Sequence, residues 1–307
     1  MKRIAFVVPW VGRLPVYFPL WLNTCSYNST VDFIVVTSEK QLGDLPENVR
    51  WINMSFKEIQ NRFQALFDFP IALQKPYKLC DFKPVYGQAF APELKGYDFW
   101  GYCDVDLLWG DISSFITDEL LEKYDRLYTR GHCCIYRNCE RVNAWYRELP
   151  HEGLQNWESV FSSPKSFCFD EWHQGGLSEI IKANQCSYYD SLDMADLDIS
   201  KGFFSPHRIP DFQKGDAYFE YEKGKLWMSI PDGKRQEVLY CHFQKRKIEI
   251  DPAYDKEHFY FCAPGMVTSD FSKVKQYRMK ELKFELSYLY NRIIRKMKKL
   301  ITGEGVI

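Results

Sequence analysis

Two runs constrain this chain most, Ile4-Ala5-Phe6-Val7-Val8 and Val31-Asp32-Phe33-Ile34-Val35-Val36-Thr37, because both are apolar almost without a break. Each reads as a buried strand, the second rich in β-branched residues. Between them, Pro15 to Tyr27 reads as a helix packed on the sheet. Ser55 followed by Glu58 makes a capping box, after which Phe56, Ile59, Phe63, Leu66 and Phe67 recur at helical spacing. That stripe belongs to a core. The β-α-β-α order predicts an α/β sheet with helices on both faces, and at 307 residues with 46% hydrophobic content the chain can bury it.

The next strand-like run, Tyr97-Asp98-Phe99-Trp100-Gly101-Tyr102-Cys103, ends in Asp104-Val105-Asp106 and is followed by Leu107-Leu108-Trp109-Gly110-Asp111-Ile112. Two carboxylates one residue apart at the carboxyl edge of a strand lie where open α/β sheets bind ligands. They can grip a divalent ion, and the ion can hold a diphosphate. A D-x-D triplet also marks ordinary solvated turns, so the rest of the chain has to decide between the two.

Three further segments carry suitable polar groups. In Lys78-Leu79-Cys80-Asp81-Phe82-Lys83-Pro84, Asp81 can accept from a ribose or sugar hydroxyl and Lys83 can meet a phosphate as a point charge; a surface ion pair is the plainer alternative. In Phe169-Asp170-Glu171-Trp172-His173-Gln174-Gly175-Gly176, Asp170 and Glu171 offer a general base for a hydroxyl, or else an acid pair at a helix N-terminus. In Tyr240-Cys241-His242-Phe243-Gln244-Lys245-Arg246, a histidine at a strand end can complete a metal site, with Lys245 and Arg246 neutralising a leaving diphosphate.

Elsewhere, Asp118 to Tyr124 and Leu177 to Ala183 read as helices, and Arg126 to Thr129, Cys133 to Tyr136 and Val238 to Cys241 as strands. Asp190 to Gly233, rich in Gly, Pro and Asp, reads as irregular loops that shape a site. A main domain over residues 1–265 is expected, with an appendage over 266–307. The appendage is an amphipathic helix over about 279–301: Leu282, Leu286, Leu289, Ile293, Met297 and Leu300 form its apolar stripe, and its polar face is rich in Lys and Arg. Such a helix suits an anionic membrane surface, or docking on its own domain with a solvated basic face.

Net charge is −1, so no overall field gathers nucleic acid, and none is expected as a partner. The ten cysteines are scattered from Cys25 to Cys262 and read as reduced core thiols. Pro9, Gly12 and Arg13 cut the first apolar run too short for a secretory signal, which makes a cytoplasmic protein, peripheral on the inner face of the membrane at most, the expectation.

Taken together, the N-terminal α/β half, the D-x-D followed by Leu-Leu-Trp-Gly-Asp-Ile, and the late His242 before basic residues resemble the type-A nucleotide-sugar glycosyltransferases over about residues 1–250. The nearest resemblance is to uncharacterised bacterial enzymes of capsule and surface-polysaccharide synthesis. It implies a Rossmann-like nucleotide-binding sheet, a nucleotide-diphosphate sugar donor, a glycan or lipid-linked acceptor, and Mn²⁺ or Mg²⁺ held by Asp104, Asp106 and His242. Asp104 would also face the donor ribose, and Pro9, Trp10 and Gly12 would border the base. Asp170 or Glu171 would be the base in an inverting reaction. His132, Tyr136, Trp172 and His173 are candidates for the acceptor. The chain departs from the His-x-Gly-x-x-Lys-Pro run of glycogenin-like enzymes at His242-Phe243-Gln244-Lys245-Arg246, so inversion and retention both stay open. Two other readings are a haloacid-dehalogenase-type phosphohydrolase, disfavoured by Leu107-Leu108 after the second acid, and a non-catalytic glycan-binding protein on a transferase fold.

Overall fold

The two apolar runs are parallel neighbours. β1 (Ile4–Trp10) pairs with β2 (Val31–Thr37) along its whole length, from Ile4 against Val31 to Trp10 against Thr37. β3 (Val49–Asn53) extends the sheet beyond β2, and β4 (Phe99–Cys103) lies on the other side of β1, both in parallel register. This is a computed structural model, and it describes residues 2–41, 43–171, 175–201, 203–209, 217–230, 233–276, 290, 293 and 294. The chain divides into two compact units, one comprising residues 1–18, 25–105 and 112–191, the other 19–24, 106–111 and 192–307.

In the first unit the sheet continues from β4 to β7 (Cys133–Arg137), then β6 (Arg126–Arg130) and β8 (Tyr188–Tyr189), giving the order β3-β2-β1-β4-β7-β6-β8. β7 runs antiparallel to both its neighbours. Every residue of β4 is buried. Its Gly101 is required by packing: a Cβ there would lie 2.6 Å from the Cys134 carbonyl oxygen and 2.7 Å from the Phe6 ring. The helix Phe56–Gln64 starts on the expected capping box, with Ser55 N donating to Glu58 Oε2 at 2.7 Å, and buries Ile59 and Phe63. Phe63, Phe82, Tyr86, Trp100 and Tyr102 share one core with Phe161, which stacks on Phe82 at 4.4 Å between ring centres. The helices at Asp118–Lys123 and Leu177–Ala183 fall where periodicity put them.

Among the described residues the second unit holds two sheets. β5 (Leu107–Trp109) pairs antiparallel with β13 (Tyr240–His242), which pairs parallel with β9 (Ala195–Asp196). The larger sheet has the order β12-β11-β10-β15-β16-β14, made of β10 (Tyr218–Glu222), β11 (Lys225–Ser229), β12 (Arg235–Glu237), β14 (Glu249–Ile250), β15 (His258–Cys262) and β16 (Met266–Thr268). Its buried face carries Phe219, Tyr221, Leu226, Met228, Phe259 and Phe261.

Two expectations change here. The stretch from Asp190 to Gly233 is not all loop, since β10 and β11 form a tight hairpin across Lys223 and Gly224, whose φ values of 45° and 90° suit a two-residue turn. The alternation Tyr218, Phe219, Glu220, Tyr221, Glu222 was the signal. The boundary read at residue 265 cuts a sheet, because β16 beyond it pairs with both β15 and β14. A short helix, Phe271–Gln276, follows, and the helix expected over 279–301 lies outside the described residues apart from 290, 293 and 294. No helix among the described residues is long and apolar enough to cross a membrane. None of the ten cysteines is in a disulfide.

Candidate active site

Chain direction alone marks one place in the first unit. The chain passes β1, β2 and β3 outward, then returns to place β4 on the opposite side of β1, so the strand order reverses between β1 and β4. Ligands of open α/β sheets bind outside the carboxyl ends of strands at such a reversal. Pro9 and Trp10 end β1, Gly12 follows at φ 98° with open space around it, and Asp104 is the first residue after β4. Pro9, Trp10, Gly12 and Asp104, four of the residues expected on the donor side, therefore follow the carboxyl ends of two neighbouring strands.

Beside Asp104 lies a buried lysine. Lys83 Nζ donates to Asp104 Oδ1 at 2.8 Å and to the Gly131 carbonyl at 2.6 Å, and stands 3.3 Å from Asp170 Oδ2. Burial alone would push the ammonium pKa down, but the Asp104 and Asp170 carboxylates outweigh it and hold it well above its ordinary value. Lys83 is thus a cation shared by two acids. The acids differ: the Asp104 side chain is 37% exposed, whereas that of Asp170 is 5% exposed. Burial first, then the Glu171 and Asp104 charges, push the Asp170 carboxyl up to about 7 against the pull of Lys83. A carboxyl that titrates near neutrality is suited to take or give a proton.

Gly131, in the turn between β6 and β7, makes this grouping possible. A Cβ there would lie 2.6 Å from Glu171 Oε1 and 2.7 Å from Asp170 Oδ2. Only a bare backbone leaves room for both acids.

The second unit builds its own cluster. β5 and β13 pair so that Leu107 faces His242, which brings Asp106 beside the histidine, and the Asp106 carbonyl accepts from Phe243 N at 3.1 Å. His242 Nε2 stands 3.6 Å from Asp106 Oδ1, and its Nδ1 is 2.8 Å from Asp196 Oδ1. Burial would lower this imidazole's pKa, but its bonds to Asp106 and Asp196 lift it to about 10. Without metal it carries positive charge between the acids. The donor chemistry, carboxylate oxygen with imidazole nitrogen, fits an ion such as Mn²⁺.

Several expected roles change once burial is known. Asp81 is fully buried, bonded to Lys78 Nζ at 2.8 Å and accepting from the backbone N–H groups of Phe167 and Phe169, so it anchors the segment before Asp170 instead of meeting a ribose. Arg246 is buried, with Nη2 on the carbonyls of Asp198 and Lys201 and the guanidinium over Phe204, which ties it to a structural task and away from a leaving diphosphate. Lys245 beside it is exposed. Tyr136 is a core residue stacked on Trp100 at 4.8 Å, with no free face for an acceptor. His132 is buried as well, and its carbonyl accepts from Asp104 N at 2.9 Å. Trp172 and His173 lie outside the described residues. Asp196 was missed, hidden in a stretch whose composition reads as loop although acids recur there at Asp193, Asp196 and Asp198.

A family model described as "Family of unknown function (DUF6625)" matches residues 6–270. No curated protein matches the chain in sequence. Among solved structures, a galactosyltransferase, LgtC, in complex with donor and acceptor sugar analogs aligns with 63% of this chain and 75% of its own, at 11% identity and a TM-score of 0.35. The apo form of the glycosyltransferase GlyE from Streptococcus pneumoniae TIGR4 aligns with 65% of this chain at 12% identity and a TM-score of 0.34, and this chain spans 47% of it. Mouse xyloside xylosyltransferase 1, apo form, aligns with 64% of this chain and 88% of its own, at 10% identity and a TM-score of 0.39.

Proposed function

We propose that this chain, which belongs to the DUF6625 family, is a metal-dependent glycosyltransferase that moves a sugar from a nucleotide-diphosphate donor to a glycan or lipid-linked acceptor. The observation that carries the reading is the acid–imidazole pair Asp106, just before β5, and His242, at the end of its partner β13, 3.6 Å apart, in a chain whose preceding acid, Asp104, leaves β4 at the strand-order reversal. In this reading Asp106 and His242 hold Mn²⁺ or Mg²⁺, with Asp104, two residues upstream, as a further ligand. The ion, when bound, would neutralise charge on the departing diphosphate.

The remaining roles belong to the chain's own groups. Lys83 fixes the Asp104 carboxylate through a 2.8 Å bond. Pro9, Trp10 and Gly12 border the base, and exposed Lys245 meets the diphosphate. Asp170, titrating near 7, and Glu171 beside it serve the acceptor hydroxyl if the reaction inverts. We place the acceptor in surface polysaccharide synthesis, with residues 279–301 against the anionic inner face of the membrane.

The test incubates the full chain with a panel of nucleotide-diphosphate sugars and candidate acceptors, with and without Mn²⁺, and measures nucleotide diphosphate release. At least one donor should be consumed only with metal, and Asp106→Ala should slow it about 100-fold or more. Consumption of no donor, or an equal rate in the variant, defeats the reading.

A further inference from the structure

His242 has two ring nitrogens, and only one of them can bind an ion while the other is held by something else. The structure places Asp196 at that second nitrogen. β9 and β13 run parallel with Asp196 directly abreast of His242, and the bond between Leu197 N and the His242 carbonyl, 3.0 Å, locks the register. From this position Asp196 Oδ1 lies 2.8 Å from His242 Nδ1. The same oxygen accepts from Gln244 Nε2 at 3.1 Å. Gln244 reaches it from a backbone at φ 55°, a conformation that residues other than glycine adopt uncommonly. A polar residue held in that conformation points to a built contact and away from chance packing.

We propose that Asp196 is the positioning residue for metal binding. Its Oδ1 accepts a hydrogen bond from His242 Nδ1–H, so that Nε2, on the Asp106 side, presents its lone pair to the ion, and Gln244 holds the Asp196 carboxylate in line. Histidines that ligate metals commonly donate the other ring N–H to a carboxylate, which sets ring orientation and tautomer. Asp196 itself does not touch the ion. The inference rests on the metal-dependent reading above, but it concerns a residue that this reading leaves out.

The experiment titrates Mn²⁺ into the full-length protein and follows the electron paramagnetic resonance signal of free Mn²⁺, with no donor present. Wild type, Asp196→Asn, Asp196→Ala and Gln244→Leu are compared, each after its thermal unfolding shows that it is folded. Asp196→Ala and Asp196→Asn should weaken Mn²⁺ binding by about 10-fold or more, and Gln244→Leu by less. In parallel, ¹⁵N spectra of histidine-labelled protein loaded with diamagnetic Mg²⁺ should show His242 protonated at Nδ1 in wild type and a tautomer mixture in Asp196→Asn. If Asp196→Ala does not fold, the Asn and Gln244 variants carry the test. Wild-type binding with unchanged affinity in the Asp196 variants overturns this inference and leaves the metal site standing. Weakened binding with an unchanged tautomer makes Asp196 a ligand and also overturns it. Failure of the wild type to bind Mn²⁺ removes the metal-dependent reading and this inference together.

Discussion

Replacing Asp170 by Asn should remove a pH dependence of stability that the buried lysine cluster creates. The Asp170 carboxyl is pushed up to about 7 from its ordinary 3.8, chiefly by burial. Its folded pKa therefore exceeds its unfolded one, so the folded state binds more protons between those values and stability falls as pH rises through that window. Over the whole interval the loss approaches about 4 kcal/mol, and between pH 5 and pH 8 it is about 2.5 kcal/mol. Asn cannot ionise, and Lys83 keeps its 2.8 Å bond to Asp104, so the substitution strands no charge. Urea unfolding of wild type and variant at both pH values, with chelator present, isolates the term because every other group is common to both. The wild-type loss from pH 5 to pH 8 should exceed that of the variant by about 2.5 kcal/mol. Equal losses would refute the argument that Asp170 is a costly buried acid.

Asp81→Ala should destabilise the fold by about 3–5 kcal/mol in urea unfolding, because it leaves the Lys78 ammonium, 3% exposed, with the Val160 and Lys165 carbonyls but no counter-charge, and frees the backbone N–H groups of Phe167 and Phe169. A ribose-binding surface acid would instead cost little stability, so a loss below about 1 kcal/mol rejects the structural role. Gly131→Ala should shift the Asp170 and Glu171 side chains, since its methyl would lie within 2.7 Å of both. Turnover should fall more than thermal stability, and an unchanged rate would show that the acid pair tolerates displacement.

The α/β half was legible because β1 and β2 lack a polar face and its helix at Phe56–Gln64 begins on a capping box; both signals are local. The hairpin at Tyr218–Ser229 was obscured because its turn signal, Lys223-Gly224, lies in a stretch dominated by Gly, Pro and Asp. Site residues divided along a different line. Asp106 and His242 come together because two strands pair, and residue type at strand ends anticipated them. Asp81, Arg246 and Tyr136 carry the right chemical groups, but sequence spacing does not report burial. All three are buried, with Asp81 accepting from backbone N–H groups, Arg246 donating through Nη2 to two carbonyls and Tyr136 stacking on Trp100. Asp196 depends on a two-residue strand, too short to leave a periodic trace.

The most direct measurement of the central claim is a thermal-shift series of the full chain with UDP, GDP, CDP and dTDP, each with and without Mn²⁺, repeated on His242→Ala. A ligand at about 100 times its dissociation constant stabilises the folded state by about 2.7 kcal/mol. For a chain of this size that amounts to a rise of about 5 °C in unfolding temperature. At least one nucleotide should give such a rise only when Mn²⁺ is present, and His242→Ala should abolish it. A nucleotide shift that is the same without metal, or that survives in His242→Ala, would contradict the metal-bound diphosphate on which the account stands.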